Sequence, residues 1–240
     1  MHHSILLTLG LGFSLGLKHA TEADHLAAVS TIVSERKSLW GSARVGAIWG
    51  LGHSASLAVA GILVIVLGIA IPERVASILE FCVAFMIVAL GSRLLYVTLR
   101  RSPRVHVHMH THEGRPHRHL HFHLAPDAHP AAQSHDGAHS GLSSWRTFVV
   151  GAVHGLAGSA ALTLLVLTEV MQRGSVLLGL TYMLIFGIGS LGGMTIMSGL
   201  IGLPFTLSFR FSRQLPQVLQ LTAAIASVVF GIVYGMGIIS

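Results

Sequence analysis

Residues 5–33 read ILLTLGLGFSLGLKHATEADHLAAVSTIV, and this stretch decides the fold class. It is apolar over more than the roughly 20 residues that a bilayer-crossing helix needs. Yet it carries Lys18, His19, Glu22, Asp24 and His25 within eight positions. On insertion scales a charge at the bilayer centre costs at least about 2.5–3.5 kcal/mol. Five ionisable groups persist there only by pairing, by meeting water or by holding a ligand.

Five further apolar runs follow: Val45 to Ile71, Val75 to Leu99, Phe148 to Val170, Val176 to Leu203 and Val218 to Ile239. The whole chain is 52% hydrophobic and 10% charged, where a soluble domain carries roughly 25% charged residues. Its mean hydropathy is +0.71. These values exclude an ordinary soluble enzyme and a disordered chain. The expected fold class is an all-α integral membrane protein of six transmembrane helices, arranged as a 3+3 inverted repeat. The expected divisions are a first three-helix repeat over 1–99, a flexible histidine-rich loop over 100–145 and a second repeat over 146–240. The run from Ile5 to Leu17 lacks the basic segment of a secretory signal and is expected to be retained.

The repeat is read from weak internal similarity. Gly16-Leu17-Lys18-His19 resembles Gly151-Ala152-Val153-His154, and Trp49-Gly50-Leu51-Gly52-His53 resembles Phe186-Gly187-Ile188-Gly189-Ser190. Leu79-Glu80 with Gly91 resembles Leu219-Gln220 with Gly231. An odd number of helices per repeat turns the second repeat over, and such repeats place a substrate site near the midplane.

Charge sets the orientation. The connections after the first, third and fifth runs hold Arg36, Lys37, Arg44, Arg100, Arg101, Arg104, Arg115, Arg118, Arg146, Arg210 and Arg213, against Arg74 and Arg173 on the other side. The positive-inside rule puts both termini outside and the histidine-rich loop in the cytoplasm, in a multi-pass protein of the cell (inner) membrane. The net charge of +6 is therefore assigned to orientation, and no nucleic-acid partner is expected.

Two imidazoles and a carboxylate suit Ni2+, Co2+, Zn2+ or Cu2+ better than Mg2+ or Ca2+. At 100° per residue, His25 lies about 120° and Asp24 about 140° around a straight helix from His19. Either the helix is distorted there, or some of these groups ligate while others orient them. Lys18 and Glu22, four residues apart, are expected to neutralise one another. His53 stands about 12 Å of helix rise above the cytoplasmic end of its run, and His25 and His154 lie at similar depths, so the metal-site candidates are His19, Glu22, Asp24, His25, His53 and His154. Met183, Met194, Met197 and Cys82 read as packing, and Glu80 as a carboxylate on the way in.

Eleven of the 17 histidines lie between His106 and His139. They alternate from His106 to His112 and from His117 to His123, a pattern that binds divalent transition metals with little selectivity. The Met1-His2-His3 start leaves two readings open: an added leader, or a chelate in which His2 joins the amino group and backbone nitrogens around Ni2+ or Cu2+. It resembles the Met-His start of the membrane subunit of energy-coupling nickel importers.

His19-Ala20-Thr21-Glu22-Ala23-Asp24-His25 resembles the His-x4-Asp-His signature of the nickel/cobalt transporter family, with Lys18 and Glu22 at its usual basic and acidic positions. Gly52-His53-Ser54 resembles that family's second signature. The chain is also similar to urease-accessory nickel transporters. The resemblance implies that His19, Asp24 and His25 recognise the metal and that His53 assists. Three departures stand against it. The uptake family typically has eight helices. His154-Gly155-Leu156-Ala157-Gly158-Ser159 replaces its acidic motif. Six helices with a histidine-rich loop after the third are a pattern shared with nickel/cobalt efflux proteins.

The functional expectation is transport of Ni2+, with Co2+ as a second cargo, by uptake through an intramembrane His/Asp site. Efflux of the same ions and a zinc permease are the alternatives. No P-loop and no H-E-x-x-H string occurs, so neither ATP hydrolysis by that route nor a metallopeptidase is expected, and the protein is not read as an enzyme. No resident cofactor is expected. The expected partners are the metal ion, the lipid bilayer, and either a second copy of the chain or an intracellular metallochaperone.

Overall fold

A computed structural model of the chain describes residues 2–67, 72–100, 105–112, 115–122, 142–157, 176–212 and 214–239. Its helices are α1 (His2–His19), α2 (Ala23–Val33), α3 (Leu39–Leu67), α4 (Glu73–Arg100), α5 (144–157), α6 (Val176–Phe211) and α7 (Leu215–Ile239). Four of them, α3, α4, α6 and α7, are long and apolar enough to cross a membrane. The helix begun in α5 is described only as far as residue 157, so the fourth expected span lies partly outside the described residues. Within the histidine-rich tract, β1 (Val105–His112) pairs antiparallel with β2 (Arg115–Phe122), placing His106 opposite His121, His108 opposite His119 and His110 opposite His117.

The run 5–33 is two helices, not one. Thr21 N–H bonds to the Lys18 carbonyl at 2.9 Å and Glu22 N–H to the His19 carbonyl at 3.1 Å, so the last turn of α1 tightens. Glu22 then turns extended, at φ −66° and ψ 148°, and α2 restarts at Ala23. Neither Gly nor Pro marks the break. Asp24 in the first turn of α2 places a carboxylate at a positive helix end, and its Oδ1 accepts from the His25 backbone N–H at 2.9 Å. A second boundary also differs from expectation. Helix α6 continues through Pro204 to Phe211, because a proline removes a single ladder bond and Phe205, just beyond it, is buried in the bundle.

Helix α2 is the centre of the fold. It packs on α3, α4, α6 and α7, and its His25, Ala28, Val29, Thr31, Ile32 and Val33 are buried. Its C-terminal end is tied down by polar bonds. Gln220 donates to the Ser34 carbonyl at 2.9 Å, Ser227 to the Ala27 carbonyl at 3.0 Å, and Arg36 to the Leu142 carbonyl at 2.9 Å. Arg93 pairs with buried Glu35 at 3.0 Å. By contrast α4 and α7 turn Ile78, Phe85, Val229 and Val233 outward, as lipid-facing surfaces do.

Small residues let the backbones meet, as is usual between membrane helices. Gly16 packs on the Phe186 carbonyl and Gly189 on the Phe13 carbonyl; Gly151 packs on the Trp49 carbonyl and Gly52 on the Phe148 carbonyl. A Cβ on Gly91 would lie 3.0 Å from the Ala224 carbonyl, and one on Gly231 would lie 3.0 Å from that of Ala84. Offsets of 135 from α1 to α5, 137 from α3 to α6 and 140 from α4 to α7 carry each of these contacts onto its counterpart. The order of contacts also gives directions: α1 runs parallel to α6, α3 parallel to α5, and α3 antiparallel to α6.

Candidate metal site

The break after His19 lets side chains from both pieces of the first span face the same point. His19 Nε2 lies 3.1 Å from Nε2 of His53 on α3. Asp24 uses both oxygens: Oδ1 lies 2.9 Å from His25 Nδ1, and Oδ2 lies 2.9 Å from Nε2 of His154 on α5. The His25 ring is in the middle, with ring-centre distances of 4.3 Å to His154, 4.5 Å to His19 and 5.1 Å to His53. The ligand atoms form two sets, His19, His25 and His53 in one and Asp24, His25 and His154 in the other, with the atoms of each set within 4.8 Å of one another.

Every histidine outside the loop tract and the Met1-His2-His3 start is in this cluster. His25, His53 and His154 are buried to 1% exposure or less. His25 Nε2, His53 Nδ1 and His154 Nδ1 have no hydrogen-bond partner, although buried polar atoms are ordinarily paired. Nitrogens about 2.0–2.1 Å from one ion lie about 2.9–3.4 Å apart, depending on the coordination angle. The His19–His53 nitrogen spacing of 3.1 Å falls in that range.

Glu22 serves His19 rather than Lys18. Its Oε2 is 2.9 Å from His19 Nδ1, and no ion pair joins it to Lys18 among the described residues. A carboxylate on Nδ1 fixes the tautomer that leaves the Nε2 lone pair for a metal. The Glu22 side chain is half-exposed. His2 stands apart: it opens α1, about 25 Å of helix rise from His19, so it does not share an ion with the cluster.

Two aromatic walls had no site role in the sequence reading. The Trp49 ring lies 5.4 Å from those of both His25 and His154, with its indole nitrogen buried and unpartnered. The Phe186 ring lies 5.5 Å from that of His19. The available signal was position: Trp49 is one turn before His53 on α3, and Phe186 aligns with it in the second half. Of the weaker candidates, Cys82 is a free, exposed thiol, and Met183 and Met194 are buried in helix packing.

Residues 5–236 match the NicO family, described as high-affinity nickel-transport protein. The chain belongs to that family. It is 39% identical over 236 residues to the urease accessory protein UreH of Bacillus sp. (strain TB-90), covering 98% of this chain and 93% of that protein. It is also 37% identical over 82 residues to a high-affinity nickel transport protein of Cupriavidus necator, covering 32% of this chain and 23% of that one. No solved structure matches it. NicO proteins are nickel transporters, so this chain is a multi-pass membrane transporter and not an enzyme. The similarity that the sequence showed in its first two spans holds over nearly the whole chain.

Proposed function

We propose that this NicO protein carries Ni2+, with Co2+ as a second cargo, into the cell through the buried cluster of His19, Asp24, His25, His53 and His154. One observation carries the reading: imidazoles from α1, α2, α3 and α5 converge with a carboxylate inside a helical membrane domain, and the buried Nε2 of the central His25 has no hydrogen-bond partner. Glu22 orients His19. A largely buried, multi-imidazole site binds tightly, which suits uptake from a dilute exterior.

The architecture that suits this function is a 3+3 inverted repeat. The paired glycine contacts at fixed offsets support it, as does the antiparallel course of equivalent helices α3 and α6. In that arrangement both termini face outside and the loop lies in the cytoplasm, where its histidines collect arriving ions and pass them to a metallochaperone. His2, at the start of α1, lies at the outer mouth.

The test is 63Ni accumulation in cells expressing the protein, against His19→Ala, Asp24→Ala and His25→Ala. Wild type raises cellular nickel, and each variant returns it to the background level while still inserting in the membrane. Lowered cellular nickel in the wild type would assign efflux instead. Zinc accumulation in place of nickel would assign a zinc permease.

A further inference from the structure

The two ligand sets share one residue, His25, whose two ring nitrogens stand in different situations. His25 Nδ1 faces Asp24 Oδ1 at 2.9 Å and lies on the side of Asp24 and His154. His25 Nε2 is buried without a partner, free to complete the set with His19 and His53. The lone pairs of an imidazole's two nitrogens point in diverging directions, so one ion does not occupy both sets in one position.

The internal pairing gives the two sets a relation. The offset of 135 carries His19 onto His154, and the offset of 137 carries Trp49 onto Phe186. The aromatic contacts obey the same exchange: Phe186 lies 5.5 Å from His19, and Trp49 lies 5.4 Å from His154. His53 maps onto Ser190, which is fully buried with an unpartnered hydroxyl. The second half thus lacks the imidazole that completes the first set, and Asp24 supplies a ligand to the other. An axis relating inverted repeats lies in the membrane plane, so His19 and His154, which it exchanges, sit on opposite sides of the midplane.

The geometry points to two overlapping metal stations, one all-imidazole (His19, His25, His53) and one carboxylate-containing (Asp24, His25, His154), occupied in turn by a single ion that His25 hands across. This rests on the transport reading above. In the first station Nδ1–H of His25 donates to Asp24 and Nε2 ligates. In the second Nδ1 ligates and Nε2 carries the hydrogen, so the ring is neutral in both. Two divalent ions on one imidazole repel strongly in a buried site, so occupancy is exclusive.

The test uses the full-length chain with the loop histidines and His2 and His3 replaced by serine, so that the four cluster histidines are the only ones left. The protein is placed in lipid nanodiscs and titrated with Ni2+ alone, and X-ray absorption counts the imidazole and carboxylate ligands. Wild type binds one ion per chain. His154→Ala still binds one ion, held by three imidazoles. His53→Ala still binds one, held by two imidazoles and a carboxylate. His25→Ala, which removes the shared ligand, binds at least 100-fold more weakly than either. In vesicles, His154→Ala and His53→Ala both lose flux. Loss of binding in either of those two variants, the same ligand set in both, or two ions per wild-type chain would overturn the proposal. If wild-type vesicles carry no nickel, the transport reading fails, and the ligand counts still decide whether two stations exist.

Discussion

Asp24 is the group whose removal changes the site's charge with the least change in shape. In Asp24→Asn one amide oxygen remains to accept from a histidine, but the NH2 group faces the other histidine nitrogen 2.9 Å away. A donor there occupies a lone pair that a metal needs. Losing the orientation of a ligating histidine by its carboxylate partner lowers metal affinity about 10–100-fold. The lost charge adds to this. At about 4 Å and an effective dielectric constant of about 20, a carboxylate and a divalent ion attract by about 8 kcal/mol before competing costs. Asp24 is 19% exposed, so solvent screens part of that attraction. The combined expectation is at least about 100-fold weaker Ni2+ binding, or about 2.7 kcal/mol. Calorimetry on full-length protein with the loop histidines replaced by serine measures this directly, with detergent size-exclusion to verify the fold. A dissociation constant within threefold of wild type would refute a role for the Asp24 charge in holding the ion.

Deleting the tract from His106 to His139 leaves measurable flux, with a changed apparent affinity, because the tract lies outside the apolar helices; vesicle uptake reads it, and complete loss in a well-inserted variant contradicts it. Acid weakens binding at the cluster. Ligating imidazoles must be neutral, an ordinary imidazole titrates near pH 6.5, and protons therefore compete with the ion. Affinity falls from about pH 7 to 5, by more than tenfold per unit once more than one proton is displaced per ion; calorimetry across that range, showing a flat profile, would remove histidine from the ligand set. Gly52→Ala forces a methyl group into the Phe148 carbonyl and separates α3 from α5. The expected cost is about 1–3 kcal/mol, seen as a lower unfolding temperature in detergent, whereas Gly10→Ala, which meets open space within α1, does not lower it, since alanine favours a helix over glycine.

The sequence by itself determined the class of this protein and most of its chemistry. Long apolar runs require helices because lipid offers no partner for backbone polar groups. The cost of burying charge is what marked His19, Asp24, His25 and His53 as candidates, and the structure brings them together; that cost is a property of residue type and setting, not of any fold. The glycine spacing shared by the two halves was also legible, since close helix contacts demand small residues. What only the tertiary structure decided is how the ligands meet. On a straight helix His19 and His25 face apart, and no glycine or proline announces the break at Glu22. That break is held by packing of α2 against four other helices, a long-range arrangement that local patterns do not encode. The partner of Glu22 followed from it: four residues apart, Lys18 and Glu22 pair on a continuous helix, but once the helix stops at His19 the carboxylate turns to that ring instead. Trp49 stood in the sequence only as part of a repeated motif, and the packing alone sets its ring against His25 and His154. The sharing of His25 between two ligand sets likewise depends on which ring nitrogen faces which helix, which is fixed only when α1, α2, α3 and α5 are brought together.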